Sequence, residues 1–350
     1  MDMMLKNDYA TELSRLKQIE ASDVPRLERV KMVVKDRVDV HSYEPHTFEL
    51  LRELGDDPVL SNNLDTLRAG TVAEGIVDIS SNDINVEPKY MDELDQSVRY
   101  YRIYRPENID KHKALIYIHG GAYYGGSPAD PLVPLKLLAS QYDGVIYSVD
   151  YRLAPENPYP LGLMDCLSVL KMVAKNKTEI TIAGDSAGAS MALGVSEMSH
   201  YMGIYDVDSQ ILFYPTVVHG SDLEGSLWDD KKIPIVDEQR NILHNSYTLF
   251  KQLDTKMTQL YMPEGHVNYR SPVVSPLYAD PTIFKKVLVM TGEFDPFRLQ
   301  DEAFLTKLGM AGCDAKYVRY GGMGHAYLNL IGKAAATEDS IHECAKFLAD

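Results

Sequence analysis

The sequence predicts an α/β fold in which a mostly parallel central sheet is flanked by helices and covered by a helical cap. Two observations predict it. From about residue 114 onward short apolar runs alternate with segments of helical periodicity, the pattern of βαβ units. At one of the strand-to-helix junctions stands Gly184-Asp185-Ser186-Ala187-Gly188.

The strands of this sheet are expected at Ala114–Ile118, Val145–Val149, Glu179–Ala183, Gln210–Tyr214, Lys286–Met290 and Ala315–Tyr320. Between them Leu163, Leu167, Leu170 and Ala174 share one helical face, as do Ile341, Ala345 and Leu348 near the C-terminus. Two earlier β-rich runs, Thr71–Ser80 and Ser97–Tyr104, are expected as a leading antiparallel pair. Residues 1–70 show helical spacing without a convincing strand. Val24-Pro25 and Asp57-Pro58 look like breaks between short helices. The rhythm is interrupted again from about 216 to 280 by helical stretches, Trp228 and several prolines. The expected organisation is therefore a small N-terminal helical layer, 1–70, and an α/β domain, 71–350, with 216–280 as an insertion over the C-terminal edge of its sheet.

At 350 residues, with 45% apolar and 25% charged side chains, the chain can bury a sizeable core. A formal charge of -16 repels phosphate backbones and anionic headgroups, which argues against nucleic acid and membrane surfaces as partners. The first ten residues, MDMMLKNDYA, lack the apolar stretch of a signal peptide, and no run is long and apolar enough to span a bilayer. The expected location is the cytoplasm. Cys166, Cys313 and Cys344 are too few and too scattered for a disulfide framework or a C-x-x-C zinc site, and read as buried thiols.

The pentapeptide carries the chemistry. A sharp strand-to-helix turn forces its middle residue, Ser186, into a strained backbone and presents the hydroxyl above the sheet, and the flanking glycines avoid clashes there. Acyl transfer also needs donors for the developing oxyanion. His119-Gly120-Gly121-Ala122-Tyr123, directly after the strand Ala114–Ile118, offers backbone NH groups, to be joined by that of Ala187.

A hydroxyl nucleophile needs a general base, usually a histidine oriented by a carboxylate, and in such a sheet the chain order is Ser, acid, His. Only His325 and His342 lie far enough along, and His342 falls inside the amphipathic C-terminal helix. His325 follows the last predicted strand on a glycine-rich loop, Gly321-Gly322-Met323-Gly324. For the acid, Glu293 and Asp295 are both candidates after the strand Lys286–Met290, with Asp295 favoured because Pro296 fixes the turn behind it.

With these motifs in hand, the chain resembles the hormone-sensitive-lipase-like esterases of the α/β-hydrolase fold, which include bacterial acetyl esterases and arylacetamide-deacetylase-like enzymes. The resemblance rests on His119-Gly120-Gly121, the Asp150-Tyr151-Arg152-Leu153-Ala154-Pro155-Glu156 stretch, the Gly184–Gly188 turn, Asp295-Pro296 and His325. It implies Ser186, Asp295 and His325 as a triad, with Gly121, Ala122 and Ala187 as oxyanion donors and Gly120 shaping the loop. It also implies short acyl esters as substrates and a cap of two pieces. Two positions depart from the family, which usually has glycine where this chain has Ala122 and Ala189.

The expected reaction is two-step ester hydrolysis through an acyl-enzyme, requiring neither metal nor organic cofactor. The expected partner is a small-molecule ester, with association into a homodimer left open. Tyr123, Tyr124 and Tyr327, beside the oxyanion loop and His325, are candidate walls of an aromatic pocket, or else core residues. The rival readings are a ligand-binding protein on the same fold, as in the gibberellin receptors that lack the triad histidine, and an amidase or peptidase.

Overall fold

The computed structural model describes residues 8–25, 27–71, 76–81, 83–93, 96–220, 225–262 and 267–350. Along the chain run α1 (Tyr9–Lys17), β1 (Ser22–Val24), β2 (Leu27–Lys35), α2 (Pro45–Arg52), α3 (Leu64–Ala69), β3 (Asn85–Glu93) and β4 (Gln96–Tyr104). The alternating part follows: β5 (Lys113–Ile118), α4 (Leu132–Ala139), β6 (Val145–Asp150), α5 (Leu161–Val173), β7 (Glu179–Asp185), α6 (Ala187–Tyr201) and β8 (Ser209–Phe213). After α7 (Arg240–Tyr261) it resumes with β9 (Lys286–Gly292), α8 (Arg298–Met310), β10 (Asp314–Tyr320) and α9 (Ala335–Ala349).

These strands form one sheet in the order β1-β2-β10-β9-β8-β7-β5-β6-β4-β3. From β2 to β6 every neighbouring pair is parallel, and the outer pairs β1/β2, β6/β4 and β4/β3 are antiparallel. Strand alternation builds a core on each face. Ala114, Ile116 and Ile118 of β5 pack with Leu163, Leu167 and Leu170 of α5 and Ala192 and Val195 of α6. Leu115 and Tyr117 face the other way, toward Leu135 and Leu138 of α4 and Ile341 and Phe347 of α9. The C-terminal helix thus centres its buried face on Ile341, Cys344 and Phe347, with Ala345 and Leu348 at its margin. All three cysteines are buried and free. Among the described residues no helix is long and apolar enough to cross a membrane.

Two expectations for the N-terminal third need correction. Residues 1–70 are not purely helical, because Leu27–Lys35 joins the sheet parallel to β10 and the break at Val24-Pro25 lies between two strands. Charges at Arg29, Lys31 and Lys35 interrupt the apolar run of a strand that buries Val30 on one face of the sheet and Val33 on the other. Lys35 is itself 1% exposed, its Nζ bonded to Leu16 O at 2.7 Å and paired with Asp339 and Glu343, each at 2.9 Å. Asp57-Pro58, in contrast, does separate two helices, α2 and α3.

The second correction concerns the partner of the strand at Ser97–Tyr104. It is Asn85–Glu93 and not Thr71–Ser80, of which residues 76–80 are not strand and 72–75 lie outside the described residues. Asn85–Glu93 is an edge strand holding Pro88 and Lys89, so it lacks the apolar run by which inner strands are recognised. Positions 221–224 and 263–266 of the insertion, and residues 1–7, also lie outside the described residues.

Candidate active site

The site is assembled at the C-terminal ends of the parallel strands. The turn from β7 into α6 places Ser186 at φ 53°, ψ −121°, a conformation that side chains rarely adopt and that costs on the order of 1–3 kcal/mol. Its NH donates to Phe213 O of β8 at 2.9 Å, which fixes the turn. The two glycines are sterically required. A Cβ on Gly184 would lie 2.6 Å from Ile118 O and from the backbone of Gly188, and one on Gly188 would lie 2.1 Å from Ile118 O.

Residues 119–126, after β5, form the neighbouring loop. Gly121, Ala122 and Tyr123 have φ of 120°, 54° and 66°. The Gly120 NH is held by Asp185 Oδ1 at 2.9 Å and is thereby spent on shaping the loop. The NH groups of Gly121 and Ala122 have no acceptor among the described residues. Asp185 also accepts from Tyr117 Oη at 2.8 Å, and burial raises its carboxyl pKa. Outside the loop, Tyr151 donates to His119 O at 2.9 Å, and the Ala154 NH to Tyr123 O at 3.0 Å. Arg152 grips Asp165 through both nitrogens of its fork. The Asp150–Glu156 stretch is thus a brace for the loop.

His325 stands between two partners. Its Nε2 lies 2.9 Å from Ser186 Oγ, and its Nδ1 lies 2.9 Å from Asp295 Oδ2. Asp295 is fully buried, and its second oxygen accepts the Phe297 NH at 2.8 Å. The other candidate carboxylate turns away. Glu293 accepts from the Gly322 NH at 2.9 Å and faces His41 Nδ1 at 2.7 Å. Beneath them, burial first and the charge of Asp295 second raise the pKa of Asp301 well above the carboxylate range, which favours its neutral form. Among the described residues no group of three or more His, Cys, Asp or Glu side chains is placed to hold a metal ion.

Residues 115–329 match the family of the α/β-hydrolase fold. The chain belongs to that family, in its hormone-sensitive-lipase-like branch. It is similar to carboxylesterase NlhH of Mycobacterium tuberculosis, 28% identical over 308 residues that cover 80% of this chain and 92% of the relative. It is also similar to an arylesterase of Saccharolobus solfataricus, 26% identical over 236 residues covering 65% of this chain and 72% of the relative. Among solved structures, a thermostable esterase from Pseudomonas putida superposes with a TM-score of 0.74 at 23% identity, over 88% of this chain and 97% of that one, and shows the shared fold.

In this hydrolase Ala122 occupies a left-handed backbone position where glycine would be unstrained, at a cost of about 1–2 kcal/mol. Its Cβ leaves the NH in place. Ser186 opens into a cavity of about 630 Å³. One wall comes from Val59, Leu60 and Leu67 around α3, and another from Leu249, Phe250 and Leu253 of α7. The Phe250 ring meets His325 edge-on at 4.8 Å, and Tyr214 and Phe297 flank the same imidazole at 4.8 and 5.1 Å.

Of the three tyrosines singled out from the sequence, only Tyr124 lines the cavity, and burial pushes its pKa up to about 12. Tyr123 and Tyr327 are core residues instead. Tyr123 is drawn inward to stack on Tyr261 with centroids 4.0 Å apart, and Tyr327 packs between Tyr214 and Tyr320. Sequence reasoning missed Leu249, Phe250 and Leu253. The available signal was their position on one helix of the insertion already expected to cover the sheet.

Proposed function

We propose that this chain hydrolyses short-chain carboxylic esters, acetyl to about hexanoyl, with Ser186 as nucleophile, His325 as general base and Asp295 as its orienting acid. Carboxylic ester hydrolysis is the activity by which relatives covering most of the chain are named. The observation that carries the mechanism is the continuous run of two 2.9 Å hydrogen bonds from Ser186 through His325 to Asp295, beside the unclaimed NH groups of Gly121 and Ala122.

In the first step Ser186 Oγ bonds to the ester carbonyl carbon as its proton passes to His325 Nε2. The carbonyl oxygen, now negative, is held by the NH groups of Gly121, Ala122 and Ala187, each donor contributing roughly 3 kcal/mol. Collapse breaks the bond to the alkoxide, which leaves with the proton from His325. Water then attacks the acyl-enzyme as the same imidazole takes its proton, and Ser186 is released with the carboxylic acid. Asp295 fixes the tautomer that leaves Nε2 free to accept and stabilises the imidazolium.

The part of residues 1–70 around α3 and the α7 part of 216–280 act as the cap in this reading, since both line the cavity at Ser186 with apolar side chains. A bounded pocket rewards each added methylene by about 0.8 kcal/mol only while wall remains to be covered. The test is a series of p-nitrophenyl esters of increasing acyl length beside Ser186→Ala. Activity on the short esters that vanishes in Ser186→Ala supports the reading. Equal activity in the two proteins, or none on any ester, refutes it.

A further inference from the structure

A second hydrogen-bonded chain of the same polarity lies behind the oxyanion loop. Tyr123 Oη is 2.7 Å from His219 Nε2, and His219 Nδ1 is 3.0 Å from Asp254 Oδ1. Tyr123 is 2% exposed, His219 1% and Asp254 0%. The second oxygen of Asp254 accepts the Gly220 NH at 3.2 Å, which orients the carboxylate; in the tautomer with its hydrogen on Nδ1, His219 donates to Asp254 Oδ1. Nε2 is then an acceptor, and Tyr123 donates to it. On its other side the Tyr123 oxygen meets Ser190, a donor one turn of α6 beyond the nucleophile.

We infer that Tyr123, His219 and Asp254 form a positioning relay that sets the oxyanion loop for the reaction proposed above, on which this inference rests. Three consecutive residues of that loop have positive φ, two of them with side chains. Such a backbone persists only where its surroundings over-determine it. The main chain at Tyr123 is held by Ala154 and at Tyr124 by Arg68 Nε, at 2.7 Å from Tyr124 O. Both tethers act on carbonyls beyond the two donor NH groups. The Tyr123 side chain adds a further tether on that side of the loop, and of these three it is the one that reaches into the 216–280 insertion. It adjoins Ala122, so a shift at Tyr123 passes through the Ala122–Tyr123 peptide to the Ala122 Cα, which also bounds the peptide carrying the Ala122 NH. Hydrogen bonds that place a donor within a few tenths of an ångström act on the transition state more than on substrate binding.

The relay is tested with Tyr123→Phe, which keeps the ring stacked on Tyr261 and leaves His219 bonded to Asp254 while deleting the one hydroxyl. With p-nitrophenyl butyrate we expect kcat to fall about tenfold and KM to stay within about twofold, because the loss falls on the oxyanion. An alkyl trifluoromethyl ketone, which adds to Ser186 and places an oxyanion in the hole, should lose affinity by the same factor. His219→Gln, able to accept from Tyr123 and donate to Asp254, should retain more kcat than His219→Ala. The relay is overturned if Tyr123→Phe keeps kcat and ketone affinity within twofold, or if it only lowers the melting temperature with kcat per folded molecule unchanged. A wild-type protein that neither cleaves the ester nor binds the ketone would instead overturn the hydrolase reading itself.

Discussion

The carboxylate of Glu293 accepts the amide proton of Gly322 at 2.9 Å, and so fastens the loop that carries Asp295 to the loop that carries His325. The two acids near His325 therefore have separable tasks. Asp295→Asn keeps the shape and removes the acceptor that fixes the imidazole tautomer, and should lower kcat by on the order of 10³- to 10⁴-fold. Glu293→Gln still offers an oxygen to Gly322 and should lower kcat by less than about tenfold. Steady-state kinetics of the two purified variants decide it, and a larger loss in Glu293→Gln would reverse the assignment.

Ser186→Ala and His325→Ala should each remove nearly all ester hydrolysis, on the order of a million-fold in kcat. The double variant should lose no more than either single one, because the two residues act as a unit. Circular dichroism should show all three folded. Additive losses would mean that Ser186 and His325 work in different steps.

Phe250→Ala opens the α7 wall of the cavity and removes a ring standing 4.8 Å from His325. The acyl length giving the highest kcat/KM should rise by two or more carbons, while activity on acetyl esters falls. A length profile unchanged from wild type would show that the acyl chain lies elsewhere in the cavity.

Glu197 of α6 is only 4% exposed, and burial raises its pKa to about 7, with Lys307 opposing and Asp280 adding to the shift. The folded protein thus holds a proton that the unfolded chain releases near 4.5. The stability this group permits is present below pH 4.5 and is lost as pH rises toward 7. Glu197→Gln should therefore raise stability at pH 8 by about 1–2 kcal/mol, allowing for screening by solvent, and change little at pH 4.5. Thermal melts at the two pH values test this. A gain equal at both would place its origin outside titration.

What could be read from the sequence follows from how local each signal is. Ser186 and its glycines, the turn at Asp295-Pro296 and the loop before His325 each declare themselves within about five residues, and chain order sorted them. The inner strands were legible because burial on both faces leaves uninterrupted apolar runs such as Ala114–Ile118. Leu27–Lys35 was not, since a buried lysine paired with Asp339 and Glu343 satisfies its charge only in three dimensions. Tyr123 shows the same limit at the site. Its placement beside the loop left a pocket wall and a core position equally open, and only the distant His219 and Tyr261 explain why it turns inward.

The absent side chain at Gly188 has a wider meaning. A Cβ there would stand 2.1 Å from Ile118 O and 2.4 Å from His119 O, so the helix that follows Ser186 and the loop proposed to cradle the oxyanion touch backbone to backbone. Both grow from adjacent parallel strands, β7 and β5. The separation between Ser186 and the proposed donors on the neighbouring loop, Gly121 and Ala122, is consequently tied to the interstrand spacing, about 4.8 Å in any sheet. Side chains around the cavity can change to admit other esters without disturbing that length, because the ruler is the hydrogen-bonded ladder itself.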